Sequence, residues 1–112
     1  MKDYFKDYKG WIGFLNGRAQ RKVCHETYAH DHGGMVAVYY HGTLLVTIDT
    51  TGYKLCTNGW RSYTTKKRLN QLTPPGVQVF QKDWVWFVSD YTGEVALFKD
   101  KIKVDNLGRF IQ

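Results

Sequence analysis

At 112 residues the chain has room for one hydrophobic core and not a second, so it is expected to form a single domain over residues 1–112, and a two-domain enzyme is not expected. Apolar residues make up 43% and charged residues 23%, and the longest apolar runs, residues 35–40 and 84–88, fall far short of the roughly 20 needed to span a bilayer. The net charge of +6 resides in residues 50–82, where Lys54, Arg61, Lys66, Lys67, Arg68 and Lys82 meet no Asp or Glu, and a surplus held in one block makes a local field that draws anionic partners.

Residues 1–20 carry Trp11, Ile12, Phe14 and Leu15 at helical spacing and are read as an arm or a short amphipathic helix. The first nine residues lack the apolar stretch of a signal peptide, so an unprocessed chain is expected. Residues 21–30 favour a strand through Val23, Thr27 and Tyr28, and His30-Asp31-His32-Gly33-Gly34 reads as a loop. A meander follows, with strands over 35–41, 43–49 and 53–57 punctuated by Gly42 and Gly52. Ser62 or Thr64 caps a helix over about 65–72, stopped by Thr73-Pro74-Pro75-Gly76. Strands resume at 77–81, 84–89 and 95–98, and 101–104 with 109–111 form an edge hairpin. The fold class predicted is α+β and strand-dominated: an antiparallel meander of about six to eight short strands with one short central helix.

Two cysteines without Cys-x-x-Cys spacing, Cys24 and Cys56, are expected to be free thiols. The strand over 84–89 is apolar on both faces, which suits a central strand buried on both sides, or else an exposed contact patch around Trp84 and Trp86.

Several segments share a pattern with one known group. Cys24-His25-Glu26-Thr27-Tyr28, Tyr40-His41-Gly42-Thr43, residues 55–70, and Val79-Phe80-Gln81-Lys82 before Trp84 resemble small phage-encoded proteins of unassigned function. Their central run is Gly-Gly-Trp-x-Thr-x-Thr-Thr-Lys-x-Arg-x-Asn. This chain has Asn58 for the first glycine and Ser62 for the first threonine, both of which keep turn or capping chemistry. The resemblance covers residues 21–88. It implies a viral origin and a host-cell cytoplasmic setting, and brings no activity with it.

The helix start is the leading candidate site. On a helical wheel Thr65, Leu69 and Leu72 share one side, while Lys66, Lys67 and Asn70 point away and Arg68 lies on the border. Cations in a first helical turn oppose the macrodipole by about 0.3–1 kcal/mol each, and no neighbouring acid offsets them. An anion would. Free amides, the hydroxyls of Ser62, Thr64 and Thr65, and Lys66, Lys67 and Arg61 form a phosphate cradle; Trp60 and Tyr63 would stack, and Asn70 would bond a base or sugar edge. The competing reading makes the threonines caps and the lysines solvated, with Arg68 paired to a distant acid.

Histidines give a second set. His25-Glu26-Thr27 and His41-Gly42-Thr43 resemble the paired His-x-Thr signature of two-histidine phosphoesterases, which would make His25 and His41 acid and base and Thr27 and Thr43 phosphate ligands. Here 16 residues separate the triplets, and that family holds them in separate lobes. His30-Asp31-His32 has no dedicated zinc spacing, so neither metal nor cofactor is expected. The leading expectation is a non-catalytic phage accessory protein that binds nucleic acid or nucleotide phosphates. The alternatives are a host-takeover or anti-defence factor that grips a host protein, and a phosphodiesterase.

Overall fold

The computed structural model describes residues 7–111. Helix α1 (Tyr8–Leu15) is followed by five strands, β1 (Gln20–Cys24), β2 (Thr27–Asp31), β3 (Val36–Tyr40), β4 (Thr43–Asp49) and β5 (Gly52–Leu55). Helix α2 (Tyr63–Leu72) then leads to β6 (Gln78–Lys82), β7 (Val85–Ser89), β8 (Val95–Leu97) and β9 (Ile102–Val104). The fold is α+β and strand-dominated, as the periodicity predicts, with two helices and nine strands among the described residues. The strands make two antiparallel sheets, β1-β2-β3-β4-β5-β9 and β6-β7-β8.

The segment over 8–15 forms a helix because its ends are satisfied. Asp7 caps it by accepting from the Gly10 amide at 2.9 Å, and Asn16 closes it in the left-handed region. Its buried side chains, Trp11 and Leu15, pack across β2, β3 and β4. The Trp11 indole donates to the Tyr53 hydroxyl at 2.8 Å inside the core, and Arg21 donates to the Phe14 carbonyl while lying over its ring. The rest of the expected arm, residues 1–6, lies outside the described residues.

Residues 21–30 are not one strand. They fold into the β1–β2 hairpin, turning at His25-Glu26 with Glu26 at φ 51°. No glycine or asparagine marks that turn, so the sequence signal was missing. Residues 101–111 likewise depart from an isolated edge hairpin. Strand β9 pairs with β5 and closes the larger sheet, leaving a single bridge, Val104 to Phe110, of the expected pairing. Gly52 permits that closure: a Cβ on it would sit 2.1 Å from the Val104 carbonyl oxygen, and its φ is +149°.

The chain leaves the large sheet after β5, crosses through α2 and the three-stranded sheet, and returns at β9. Leu69 and Leu72 of α2 share one core with Val79, Trp86 and Val88 of the small sheet and with Val38, Val46 and Leu55 of the large one. Burying Leu- or Val-sized side chains contributes roughly 1.5–3 kcal/mol each, so this shared core is what joins the two sheets.

Strand β7 is buried on one face only. Asp83 and Trp84, both at positive φ, form the two-residue turn between β6 and β7, so the strand starts at Val85 and Trp84 is 91% exposed. Trp86 and Val88 face the core, while Phe87 and Val85 face outward. Both cysteines are free thiols.

Asp90 secures the return of the chain. Buried after β7, it accepts from the amides of Thr92 and Glu94 and the Thr92 hydroxyl through one oxygen, and from the Phe110 amide through the other. Burial pushes its carboxyl up, but these hydrogen bonds outweigh it and hold the carboxyl below its ordinary value of 3.8. A lowered folded-state pKa contributes stability above the unfolded-state value, lost as pH falls through the folded one. Stability measured by denaturant titration is therefore expected to drop as pH goes below about 4, and Asp90→Asn should both destabilise at neutral pH and flatten that acid limb. An unchanged acid limb in Asp90→Asn would remove Asp90 as its source.

Candidate nucleic-acid interface

The loop from Cys56 to Ser62 places the site. After β5 the Thr57 amide and hydroxyl donate to Asp100 Oδ1 at 2.9 and 3.0 Å, and the Asn58 amide donates to Oδ2 at 3.1 Å. Asn58 and Gly59 both take positive φ, and the Trp60 amide closes the turn on the Thr57 carbonyl. The indole of Trp60 is left 69% exposed. Ser62 then caps α2 by accepting from the Thr65 amide at 3.2 Å, so the helix begins at Tyr63, two residues before the start read from the sequence.

Trp60, Ser62, Thr64 and Thr65 line one side of an open groove of about 300 Å³, and Tyr40, His41, Thr43 and Leu45 line the other. The structure thus joins parts of two sequence motifs, the helix start and the second His-x-Thr triplet. The β3–β4 turn does this, since His41 and Gly42 at positive φ carry the chain over the sheet end and leave His41 and Thr43 beside the helix start.

The expected cations divide into two groups. Arg61 folds back, donating to the Phe98 carbonyl at 3.3 Å and lying 5.8 and 5.4 Å from the Trp86 and Phe98 ring centroids. Arg68 reaches the other way, to Gln71 Oε1 and to the Cys24 sulfur at 3.2 Å, with Tyr40 under its guanidinium. Lys66 lies near the rings of Tyr63 and Trp86, and Lys67 is exposed. The ion pairs among the described residues are His41–Glu26 and Lys103–Asp49. No carboxylate therefore neutralises the helix cations there, and the distant acid expected for Arg68 is a thiol, an amide and an aromatic ring.

Asn70 is placed elsewhere. Its side-chain amide donates to the Val79 carbonyl at 2.9 Å and its oxygen accepts from the Val79 amide at 2.6 Å. It completes the open edge of β6 as one residue of an absent strand would, and pins α2 to the small sheet. Thr65 is also committed: it is buried, and its hydroxyl accepts from Ser62. Tyr63 is exposed but does not line the groove.

Of the four His-x-Thr residues, His41 and Thr43 line the groove. His25 stands with its ring centroid 6.1 Å from that of His41. Thr27 is turned into the core, its hydroxyl donating to the His25 carbonyl at 2.8 Å. Glu26 Oε2 lies 3.7 Å from His41 Nδ1. No group of three or more His, Cys, Asp and Glu able to hold a metal occurs among the described residues. Asp100, which holds the loop that carries Trp60, is a support the sequence did not reveal, because nothing local ties it to Thr57 and Asn58.

Residues 11–105 match the model of the Kyanoviridae Gp96 protein family. The match spans most of the chain, which belongs to that family of phage proteins. No curated protein and no solved structure matches it. No helix among the described residues is long and apolar enough to cross a membrane.

Because both Asn70 bonds go to buried-side backbone, Asn70→Ala is expected to cost about 1–3 kcal/mol, a Tm drop of several degrees. Asn70→Asp should not rescue it, since a carboxylate would face the Val79 carbonyl. An Asn70 that serves a ligand alone would leave Tm at the wild-type value in both variants, which thermal melts without ligand will decide.

Proposed function

We propose that this member of the Kyanoviridae Gp96 family is a small, non-catalytic phage accessory protein that binds phosphate-bearing ligands, nucleic acid or nucleotide, in the groove at the start of α2. One observation carries the reading: an exposed indole, the hydroxyls of Thr43, Ser62 and Thr64 and an imidazole converge on one groove beside lysines that no described carboxylate neutralises. In the proposal Trp60 stacks on a base, Ser62, Thr64, Thr43 and His41 bond phosphate or sugar oxygens, and Lys66 and Lys67 supply the long-range attraction. Arg61 and Arg68 act as supports of the groove walls, and Asn70 is not part of it.

Binding of this kind weakens steeply with salt, because contacts to phosphates release counterions. Lys66→Ala with Lys67→Ala should lower the slope of log K against log salt by about 1 to 2, and Trp60→Ala should cost about 1–3 kcal/mol of affinity. Titrations of labelled DNA, RNA and mononucleotides at several salt concentrations measure both. Wild-type affinity and slope in both variants would refute the groove.

A second reading, capture of a host protein in the manner of a takeover or anti-defence factor, is favoured by the outer face of the small sheet. Phe80 and Phe87 stack there at 5.5 Å, Val85, Val95 and Leu97 are exposed, and Trp84 stands at the rim. Such apolar patches are where proteins dock. On this reading a host polypeptide co-purifies from infected cells, survives nuclease treatment and is lost with Leu97→Lys. Retention by Leu97→Lys would count against this face, and loss on nuclease treatment would return the capture to the groove.

A further inference from the structure

The open face of the six-stranded sheet carries an arrangement that the groove does not use. Side chains alternate along a strand, so the registers divide the sheet into a face toward the core and a face away from it. Ala29, Val38, Val46, Tyr53, Leu55 and Val104 belong to the first, which α1 covers. On the other face one row runs Lys22–Tyr28–Tyr39–Leu44 across β1 to β4. The next row runs Gln20–His30–Ala37–Thr47–Lys54–Lys103 across all six strands. At about 4.8 Å per strand the longer row extends about 24 Å.

The rings on this face form a group. Tyr28 and Tyr39 are directly paired across β2 and β3. The His30 ring lies 4.9 Å from that of Tyr39 and 6.1 Å from His32, to which it is nearly parallel. The polar tips of Tyr28, His30, His32 and Tyr39 make no hydrogen bond among the described residues. Ala37, between His30 and Thr47 in its row, is buried beneath its neighbours.

The charges on the face are unbalanced. Lys54 is set directly opposite Lys103, a like-charge pairing that weakens a sheet. The carboxylate on this face, Asp49, lies 3.5 Å from the Lys103 ammonium and is also bonded by Thr51 and Gly52. Lys22 and Lys54 have no described carboxylate partner. An anion laid along the lower row would relieve the repulsion that the fold itself leaves in place.

Rings with free polar tips, interleaved with unpaired lysines on a sheet face that neither described helix covers, meet the needs of one ligand class. Unstacked bases lie on aromatic faces while their phosphates follow the cations. A duplex keeps its bases stacked inside and offers the rings nothing. We propose that the open face of the six-stranded sheet is a platform for single-stranded nucleic acid, with Tyr28, Tyr39 and His30 stacking bases and Lys22 and Lys54 contacting phosphates. The platform shares no residue with the groove and stands even where the groove binds nothing.

The test is fluorescence anisotropy with a labelled oligothymidylate of about 12 nucleotides, and with a labelled duplex of equal length. The wild type is expected to prefer the single strand, and Tyr28→Ala with Tyr39→Ala to weaken binding about 10-fold or more. Lys22→Gln with Lys54→Gln, which replaces exposed side chains, should lower the salt slope by about 1 to 2. This second variant keeps the test open where the tyrosine variant fails to fold. Trp60→Ala in the same assay separates the surfaces: the tyrosine and lysine effects must persist in its background. Equal affinity for single strand and duplex, or wild-type binding and slope in the lysine variant, would overturn the platform.

Discussion

One carboxylate holds the place where the two sheets are joined. Asp100 lies between β8 and β9, where the chain returns to the large sheet, and it takes three hydrogen bonds from Thr57 and Asn58, where the chain leaves that sheet. The Lys101 amide adds a bond to the Leu55 carbonyl at 2.7 Å, so exit and re-entry are stitched side by side. Hydrogen bonds to a charged group are worth about 1.5–3 kcal/mol, and the Thr57 donors they satisfy are buried. Register of β9 on β5, direction of the loop and entry angle of α2 therefore depend on the same few atoms. The exposure of Trp60 follows from them.

With its entry fixed, α2 has little freedom. Thr65, Leu69 and Leu72 must face the core, which leaves the remaining positions for cations whatever their effect on the helix. The protein moderates that effect with rings in place of acids. Arg61 lies over Trp86 and Phe98, and Arg68 over Tyr40. Such contacts are worth about 0.5–2 kcal/mol and leave the net charge unchanged, whereas a carboxylate would cancel the field. Aromatic support orders the guanidiniums and leaves the block positive.

How much of this was legible depends on the range of the forces involved. Strand β4 has the bounds its alternation predicts, and the buried side of α2 is the one the helical period gives. Local chemistry was enough there. The hairpin at His25-Glu26 was hidden because a glutamate occupies a left-handed position that glycine or asparagine normally marks. Asn70 was read as a ligand contact because its outward angle on the helix was visible, while the β6 edge that claims its amide was not. The exposed position of Trp84 turned on one residue of strand boundary, and one residue inverts the face of every side chain near it. The groove escaped prediction for a related reason, since His41 and Trp60 meet only after the sheet has been assembled.

A chain of this size cannot cover both faces of two sheets. Its two helices are used on the inner side, α1 against β2 to β4 and α2 between β4 and β6. Each sheet is left with one bare face, and the two bare faces are built of different material. The small sheet shows phenylalanine, valine and leucine; the large one shows tyrosine, histidine and lysine along its registers. Water tolerates the second far better than the first, so solubility alone accounts for neither the like-charged Lys54–Lys103 pair nor the apolar patch beside Trp84. Each departs from what an inert surface would carry, and in opposite directions. An anionic polymer would suit one and an apolar protein surface the other, which is why the proposed contacts are set on the outer faces and on the groove at the sheet end.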